Sequence, residues 1–286
     1  MIQSSPEQNE NQGVLYVVAT PIGNYADMTE RAMQVLREVD IILAEDTRRT
    51  KPLLQRFAIS ASRIMSFHEH NEERLGYKII EKLQLGESIA LVSDAGTPLI
   101  SDPGFGLVEA AHKAGLKVVP IPGACALAAA LSAGGLPTDQ FFFVGFLPAK
   151  TTQRVKALQQ LIDQKGTLIF YESSHRILAC LSDCLGVLGN RRAVVAREIS
   201  KLFETIRQDD LNGLLSFVTA DSNQQKGEFV ILIEGAQAQE LGNDQELDRL
   251  LLIMMEELPL KQAAQLVAKI LGIKKNSVYQ RALQLK

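Results

Sequence analysis

The chain has 286 residues, of which 46% are hydrophobic and 22% are charged, a composition that is typical of a folded globular protein and excludes an intrinsically disordered one. Its net charge at pH 7 is −3, so the chain as a whole does not attract nucleic acid, and any RNA contact has to come from local basic patches. The sequence contains no run of eighteen apolar residues, which predicts that no segment spans a membrane.

The first thirteen residues are polar and lack the hydrophobic core of a signal peptide, which predicts a loose tail over residues 1–13. The three cysteines are an odd number in a chain with no export signal, and this pattern favours reduced thiols and the cytoplasm. Cys180 and Cys184 lie one helical turn apart without further metal-ligand partners, so we expect them to be buried in packing.

Apolar runs alternate with helix-length amphipathic segments from residue 14 to residue 140. The predicted strands are Leu15–Thr20, Ile41–Glu45, Arg63–Phe67, Ser88–Ser93 and Lys117–Ile121. The predicted helices are Met28–Glu38, Thr50–Phe57, Glu72–Leu85, Phe105–Ala114 and Cys125–Gly134. Strands that are apolar throughout and separated by helices are typical of a largely parallel sheet with both faces covered, so residues 14–140 are predicted to form an N-terminal α/β domain.

Residues 141–236 are predicted to form a second, smaller α/β domain, beginning with an aromatic strand. The predicted strands are Phe141–Phe146, Thr167–Tyr171, Ala193–Arg197 and Glu228–Glu234. The predicted helices are Thr151–Gln164, His175–Leu185 and Asn212–Ala220.

Residues 237–286 are predicted to be a helical C-terminal region with segregated charge. Gln237–Leu258 holds six acidic residues and one arginine, whereas Pro259–Lys286 holds six basic residues and no acid. Apolar residues recur at helical spacing up to Gly272, where the helix is expected to break, and Lys274-Lys275-Asn276-Ser277 leads into a second helix. The pattern fits either a helix-turn-helix that presents positive charge to RNA or a small helical cap on the second domain.

The segment Ser93–Gly106, which reads SDAGTPLISDPGFG, is much longer than an ordinary strand-to-helix connection needs to be. Its glycines allow a ligand to approach the backbone closely, and its prolines hold the loop in a fixed path. Five predicted strands end in polar or glycine-rich residues, and ligands of open α/β sheets bind outside the carboxyl ends of the strands. The sequence therefore predicts a binding site at this edge, with a tight structural turn as the alternative interpretation of the segment.

Several common site types are excluded by the residues present. No GxGxxG follows the first strand and no GxxxxGK[ST] occurs, so neither a dinucleotide fingerprint nor a phosphate loop is present. His68, Glu69, His70 and Glu72 lie close together in sequence, but no further ligand cluster accompanies them, and no metal is predicted.

The order of motifs resembles that of the tetrapyrrole-methylase-like class of S-adenosylmethionine-dependent methyltransferases. Within this class it is similar to the members that methylate the ribose 2′-oxygen of a cytidine in small-subunit (16S) ribosomal RNA. The segments lie in order between residues 20 and 204, a span of about two thirds of the chain: TPIGN at 20–24, AEDTR at 44–48, HEHNE at 68–72, SDAGTPLISDPG at 93–104, PGACALAAALSAGGLPTDQFFFVGFLP at 122–148, YESSHR at 171–176 and AREISKLFE at 196–204. The chain departs from the family pattern at Cys125, Ser174 and Phe203, where the family usually has a small serine- or threonine-like residue, a proline and a polar residue.

The resemblance implies two α/β domains of the tetrapyrrole methylase type with an S-adenosylmethionine cleft between them, a homodimer, and 16S rRNA or the 30S subunit as partner. Carried over by position, the cofactor-binding residues are Pro21, Asp94, Ala95, Gly96, Thr97, Pro98, Ile100, Gly123, Cys125, Ala126 and Tyr171.

Methyl transfer to a hydroxyl benefits from a general base, because an alkyl hydroxyl is a poor nucleophile until its proton is removed. The candidate bases are Asp46, His68, Glu69, Asp94, Asp102, Glu172, His175 and Glu198. Among them Glu172 and Glu198, together with Arg197 and Lys201, are favoured as catalytic residues because they occupy polar strand ends of the second domain.

The predicted substrate-binding residues are Arg48, His68, Glu69, Asn71, His175 and Arg176. At the strand end that contains Arg48, Arg49 and Lys51, basic side chains are suited to holding RNA phosphates. The alternative is that Asp46 or Thr47 caps the next helix and the arginines are solvated.

Two other functions fit parts of the sequence. One is methylation of a porphyrin or corrin precursor, whose many carboxylates would require several arginines in the cleft. The other is a DNA-binding regulator that senses a small ligand in its α/β part and uses its C-terminal helices for binding.

Overall fold

The first sheet consists of five parallel strands in the order β3-β2-β4-β1-β5. The computed structural model describes residues 12–236 and 244–285. The strands are β1 (Val14–Val18), β2 (Ile41–Ala44), β3 (Ile64–Ser66), β4 (Ile89–Val92) and β5 (Lys117–Ile121). The predicted parallel sheet is therefore confirmed, with strand ends that differ from the prediction by at most two residues.

Four helices cover this sheet on both faces: α1 (Glu30–Glu38), α2 (Thr47–Arg56), α3 (Glu72–Gln84) and α4 (Phe105–Lys113). The apolar side chains of α1 and α2 pack on one face, with Ile42, Ala44 and Val92 of the sheet. Those of α3 and α4 pack on the other face, with Leu43 and Leu91. The sheet is buried on both sides because alternate residues of each strand supply a different core.

The second sheet has the order β6-β7-β10-β8-β9 and is mixed, since β6 and β7 are parallel and the other pairs are antiparallel. Its strands are β6 (Phe141–Phe146), β7 (Thr167–Ser173), β8 (Arg192–Arg197), β9 (Thr205–Asp210) and β10 (Glu228–Ile233). Three helices pack on one face of this sheet: α6 (Thr151–Gln159), α7 (Ile177–Leu188) and α8 (Leu211–Ala220).

Helix α5 (Ala126–Gly134) covers the opposite face of the second sheet, although it follows the last strand of the first sheet. Ala130 and Leu131 of α5 pack with Val194 and Leu232. A Cβ atom at Gly134 would lie 2.6 Å from Leu232 Cδ1, so the helix approaches the sheet closely at this point. Helix α5 therefore connects the two sheets, since it follows the last strand of the first and packs against the second.

Strand β9 was not predicted from the sequence, and the omission has a physical reason. Thr205–Asp210 reads TIRQDD, which has neither a buried apolar run nor a clean alternation. It is an edge strand whose outer side faces solvent, and edge strands tolerate charged side chains. Helix α6 also ends earlier than predicted, since residues 160–164 continue in turns with Leu161 N bonded to Leu158 O and Gln164 N to Leu161 O.

The predicted N-terminal tail is too long by at least one residue. Gly13 is buried, and its amide donates to Leu83 O at 2.8 Å. A Cβ atom at Gly13 would lie 1.9 Å from Glu87 O, so the contact requires glycine. The rest of the predicted tail, residues 1–11, lies outside the described residues.

The C-terminal region is helical as predicted, with α9 (Asp244–Glu257), α10 (Leu260–Leu271) and α11 (Lys275–Gln284). Gly272 ends α10 in the left-handed conformation, with φ of 67°, which confirms the predicted break. Residues 237–243 and 286 of the predicted helical region lie outside the described residues. Within residues 12–236 and 244–285, no helix is both long enough and apolar enough to span a membrane.

Cys180 and Cys184 are fully buried in the core beneath α7, which confirms the prediction that they serve packing. The hydrogen bond with Cys184 and burial both raise the pKa of the Cys180 thiol. In the part of the chain that the structure describes, no group of three or more His, Cys, Asp and Glu side chains is arranged to hold a metal ion.

Among the described residues Arg154 is the largest fully buried side chain, and it holds the segment after β6 against α7. Its Nε donates to Asp183 Oδ2 at 2.7 Å, and its Nη1 donates to Ala149 O at 3.1 Å. Nη2 donates to Thr151 Oγ1 at 3.1 Å. The guanidinium thus donates hydrogen bonds to backbone carbonyl groups where the chain turns from β6 into α6.

Replacing Arg154 by Met is expected to lower the free energy of unfolding by about 3 kcal/mol, because Asp183 and the carbonyl groups lose a buried partner. Urea denaturation followed by circular dichroism measures the change. The matched control is Lys113→Met, which removes an exposed ion pair with Glu109 and should cost less than about 1 kcal/mol. Equal effects of the two substitutions would contradict this assignment.

Candidate functional site

The carboxyl ends of four parallel strands meet at one edge of the first sheet. Val18 is in register with Val92 on one side and with Ile121 on the other, and Ala44 is in register with Val92. The segments that follow these strands therefore emerge side by side, which is where open α/β sheets bind their ligands.

Hydrogen bonds join three of these segments into one unit. Thr20 N donates to Gly96 O at 2.8 Å and Gly96 N donates to Thr20 O at 3.0 Å, a reciprocal pair between the segments after β1 and β4. Thr97 Oγ1 donates to Ala124 O at 3.1 Å, which adds the segment after β5. Thr20 Oγ1 also donates to Ser93 O at 3.2 Å. The three segments are held together by short-range polar contacts at the edge of the core.

The loop between β4 and α4 has an unusual backbone. Leu99 and Ser101 have φ of 72° and 67°, although neither is glycine, and Gly96 and Gly104 have φ of 87° and 124°. Positive φ at a residue with a side chain costs free energy and is found where the surrounding structure holds it, often at functional sites. Glu72 supports the loop from α3, since its carboxylate accepts from Gly104 N at 3.3 Å and Leu107 N at 3.2 Å.

A cavity of about 450 Å³ lies between this edge of the first sheet and the second sheet. One wall is the loop after β4 with the strand ends beside it, and the other wall comes from β6, β7, β10 and the segment after β8. The lining residues are Ile22, Glu45, Arg49, Asp94, Ala95, Gly96, Thr97, Ile100, Ser101, Asp102, Cys125, Ala126, Phe146, Tyr171, Glu172, Ser173, Ser174, Ile199, Lys201, Gly227, Glu228, Phe229 and Val230.

The charged side chains of the cavity are mainly acidic. Among the described residues that line it, five are carboxylates (Glu45, Asp94, Asp102, Glu172 and Glu228) and two are cations (Arg49 and Lys201). The two cations are paired: Arg49 Nε lies 3.3 Å from Asp94 Oδ2, and Lys201 Nζ lies 2.7 Å from Glu228 Oε2. The cavity therefore favours a ligand that carries positive charge.

Asp102 is the cavity carboxyl whose protonation differs most from that of a free side chain. Burial and the nearby negative charge of Glu45 raise the pKa of Asp102 to about 7, against an opposing hydrogen bond with Ser93. A carboxyl with a pKa near 7 exchanges its proton readily at physiological pH, which is the property required of a general base.

Tyr171 connects the second sheet to the first turn of α5. Its hydroxyl accepts from Leu127 N at 3.1 Å, so it satisfies one free amide where no side chain caps the helix. Burial is the main cause that raises the pKa of this hydroxyl. The rings of Phe143 and Phe146 pack edge-on against Tyr171 with centroids at 5.0 and 5.7 Å.

Most of the residues expected to bind the cofactor line this cavity. Those that do so are Asp94, Ala95, Gly96, Thr97, Ile100, Cys125, Ala126 and Tyr171. Pro21, Pro98 and Gly123 are not among the lining residues, and Pro21 and Pro98 are buried beside it. A Cβ atom at Gly123 would lie 2.9 Å from Ala19 Cβ, so this glycine serves close packing of two segments.

The four residues favoured as catalytic divide into two groups. Glu172 and Lys201 line the cavity, whereas Arg197 and Glu198 stand behind it. Arg197 is buried and donates to Lys226 O at 3.1 Å and Phe203 O at 3.1 Å, which fixes the segment after β8.

Glu198 is engaged by Lys201 and by the second sheet. Its Oε1 accepts from Lys201 Nζ at 2.9 Å and from Glu228 N at 3.0 Å. Although partial burial acts in the opposite direction, these hydrogen bonds lower the pKa of Glu198. Hydrogen bonds to Glu228 and Glu198 raise the pKa of Lys201, again against the effect of burial. Both groups are therefore charged at neutral pH.

Glu172 has a fully buried side chain whose Oε1 lies 3.1 Å from Arg176 Nε and accepts from Ser173 N at 2.8 Å. Its second oxygen, Oε2, has no hydrogen-bond partner within the described residues. Arg176 also donates to Leu147 O.

The six residues expected to bind substrate all lie within the described part of the chain, and none of them lines the cavity. Arg48 is 89% exposed and binds Asp46, which caps α2 by accepting from Arg48 N at 2.9 Å. Asp46 therefore caps the helix, as the alternative interpretation expected, whereas Arg49 is not simply solvated but pairs with Asp94 at the cavity wall. Hydrogen bonds from Arg48 lower the pKa of Asp46 to about 2. Glu69 and His175 are exposed.

The turn after β3 is held by its own side chains. Asn71 Oδ1 accepts from His68 N at 2.9 Å, and Asn71 Nδ2 donates to Ser66 O at 3.1 Å. Together with the Glu72 contacts to the loop after β4, these bonds make the HEHNE segment a support for that loop.

Several lining residues were not predicted as site residues. Glu45 and the segment Gly227–Val230 belong to strand ends whose convergence depends on the sheet order, and Ser101 lies in the loop after β4. Arg49 was expected only as a side chain that holds RNA phosphates, and the structure places it on the cavity wall. Phe146 ends the predicted aromatic strand Phe141–Phe146, to which no site role was assigned. Asp102 was one of eight candidate bases. What distinguishes it is its burial beside Glu45, and this proximity cannot be read from the sequence.

The family model for Tetrapyrrole (Corrin/Porphyrin) Methylases matches residues 14–215, and the model for the RsmI C-terminal HTH domain matches residues 242–286. The ribosomal RNA small subunit methyltransferase I of Escherichia coli O157:H7 is 52% identical over 277 residues, covering 96% of each chain. That of Pseudomonas aeruginosa is 54% identical over 276 residues, covering 95% of this chain and 97% of the relative.

Solved structures share the fold at much lower identity. The methyltransferase CobJ matches with a TM-score of 0.57 and 20% identity, covering 78% of this chain and 95% of that protein. Uroporphyrin-III C-methyl transferase from Thermus thermophilus, complexed with S-adenosyl homocysteine, matches with a TM-score of 0.51 and 18% identity, covering 77% and 96%. These comparisons confirm the predicted tetrapyrrole methylase fold and the resemblance on which it was based. The chain belongs to the ribosomal RNA small subunit methyltransferase I family, within the tetrapyrrole methylases.

Proposed function

We propose that this chain transfers a methyl group from S-adenosylmethionine to small-subunit ribosomal RNA, at the ribose 2′-oxygen of a cytidine. The observation that carries the proposal is the identity of 52–54% to two ribosomal RNA small subunit methyltransferases over at least 95% of the chain. The homodimer, the assembled 30S particle as substrate and the cytoplasmic location stay predictions.

The cavity between the two sheets suits a donor of this size and charge. Its volume of about 450 Å³ falls in the range of about 300–1,000 Å³ found for small-molecule sites. Gly96 has φ of 87°, which residues with a side chain rarely adopt, and an added Cβ atom would come within 3.3 Å of Ile22 Cγ2, so glycine is favoured at this point of the cavity wall. S-adenosylmethionine carries a sulfonium and an ammonium group, and the carboxylates that line the cavity outnumber its cations by five to two.

The same charges argue against a tetrapyrrole substrate. Porphyrin and corrin precursors bear many carboxylates, which bind most strongly to arginine and lysine. The described lining residues offer Arg49 and Lys201, both already paired with acids, against five carboxylates. The ligand-sensing regulator is disfavoured by the similarity to named enzymes over nearly the full length.

When bound, S-adenosylmethionine supplies an activated methyl group on a positively charged sulfur. The task of the protein is then to align the ribose hydroxyl and to accept its proton. We assign proton acceptance to Asp102, in place of Glu172 or Glu198. Support comes from its position in the cavity and from its pKa of about 7. Glu172 is engaged with Arg176, and Glu198 with Lys201.

The other favoured residues receive supporting roles in this proposal. Lys201 extends from the second sheet towards the first, since a Cβ atom at Gly23 would lie 2.4 Å from Lys201 Cγ. Glu198 and Arg197 hold the segment that carries Lys201. We propose that Lys201 orients a phosphate or hydroxyl of the bound nucleotide, and that Arg48, His68, Glu69, Asn71, His175 and Arg176 contact RNA outside the cavity.

The activity is tested by incubating the purified chain with tritiated S-adenosylmethionine and one of three acceptors: undermodified 30S subunits, naked 16S rRNA or uroporphyrinogen. The expected result is label in rRNA that co-migrates with 2′-O-methylcytidine after digestion to nucleosides. Label in uroporphyrinogen alone, or no label in rRNA in either form, would overturn the proposed function.

The role of Asp102 predicts a specific pH dependence. Only its ionised form accepts a proton, so kcat/KM should rise with pH and level off above a pKa of about 7. Asp102→Asn should lower kcat about 10²–10⁴-fold and remove the rising limb of the pH profile. Binding of S-adenosylhomocysteine, measured by calorimetry, should be retained.

Glu45→Gln is the matched variant, because it removes a neighbouring carboxylate that raises the pKa of Asp102. It should shift the limb of the pH profile to lower pH. An Asp102→Asn enzyme that kept the wild-type pH profile would show that another group accepts the proton.

A further inference from the structure

Helices α9, α10 and α11 form a unit with its own core. Leu251, Val267 and Val278, one from each helix, are fully buried together. Arg281 of α11 donates to Asp248 of α9 through two bonds, Nε to Oδ1 at 2.7 Å and Nη2 to Oδ2 at 2.6 Å. Such a bidentate pair fixes the orientation of α11 relative to α9.

One surface of this unit is basic although the chain as a whole is acidic. Pro259–Lys286 carries six basic residues and no acid, within a chain of net charge −3. Lys261, Lys269, Lys274 and Lys275 are exposed. In contrast, Arg281 is engaged with Asp248, so lysines are the exposed cations of the described part of Pro259–Lys286, and one of them, Lys275, donates to Gln265 Oε1 at 2.9 Å.

Helix α11 presents a polar face next to two of these lysines. Val278 and Ala282 are buried, while Asn276, Ser277 and Gln280 are exposed on the opposite side of the helix. These side chains bear amide or hydroxyl groups that bind phosphate and sugar oxygens, and the face carries no carboxylate. We call the set Lys274, Lys275, Asn276, Ser277 and Gln280 the α11 surface.

The α11 surface follows a glycine turn, in the position of the second helix of a helix-turn-helix. In B-form DNA such a helix enters the major groove. The major groove of A-form RNA is deep and narrow and does not admit it, so duplex RNA is contacted through its phosphates and 2′-hydroxyl groups.

We propose that the α11 surface binds the backbone of a double-helical segment of ribosomal RNA and thereby anchors the cavity on its substrate. The inference rests on the proposed function. The surface contributes affinity without base recognition, which compensates for the acidic charge of the rest of the chain. Binding through lysines and phosphates weakens steeply with salt, because each contact releases counterions.

The test uses the full chain with the double substitution Lys274→Gln and Lys275→Gln. Affinity for a hairpin RNA with a double-helical stem is measured by filter binding at several salt concentrations. Steady-state kinetics are measured with 30S subunits. The slope of log K against log salt should decrease by about 2, one unit for each lysine, and the KM for 30S subunits should rise about tenfold with little change in kcat. Calorimetry with S-adenosylhomocysteine and circular dichroism verify that the variant is folded.

The matched control is Lys156→Gln with Lys165→Gln, which removes the same charge from exposed lysines of the second domain. It should leave the slope and the KM near the wild-type values. Equal losses in both variants would show that net charge alone matters, and an unchanged α11 variant or tighter binding to duplex DNA than to duplex RNA would also overturn the proposal. Because RNA binding is measured without turnover, a failure of methylation alone would count against the proposed function and not against this surface.

Discussion

The reciprocal hydrogen bonds between Thr20 and Gly96 are the constraint on which the site depends. They join the segments after β1 and β4, which are neighbouring parallel strands, beyond the point where the sheet ends. Gly96 has positive φ at this pair of hydrogen bonds. Farther along the loop, Leu99 and Ser101 also have positive φ, a conformation that is strained for residues with a side chain. The strain is sustained because Glu72 and the Thr97–Ala124 contact hold the loop from two other elements.

Helix α5 links the hydrogen-bonded edge of the first sheet to the second sheet. Its N-cap residue Cys125 lies on the cavity wall, and its last residue, Gly134, is in close contact with Leu232. Tyr171 binds its first turn from the second sheet, so both ends of the helix are fixed. The two walls of the cavity are consequently coupled through a packed helix, and a ligand between them meets a preformed site.

The strands and helices around each core could be predicted from sequence because their apolar periodicity reports burial directly. Strand β9 could not, because an exposed edge strand such as Thr205–Asp210 has no apolar pattern to detect. The segment Ser93–Gly106 could be recognised by its length and its glycine and proline content. Asp102 could not be distinguished from the other carboxylates, because its pKa depends on burial and on the distance to Glu45, which is 57 positions away in sequence.

The central claim, that the methyl donor occupies the cavity between the sheets, is tested most directly by the reactivity of Cys125. Among the three cysteines, Cys125 lines the cavity, whereas Cys180 and Cys184 are fully buried and serve as internal controls. Mass spectrometry of the native chain treated with iodoacetamide should find Cys125 modified and the other two unmodified. With S-adenosylhomocysteine at about ten times its Kd, modification of Cys125 should be slowed about tenfold. An unchanged rate at that saturation would place the donor elsewhere and contradict the account.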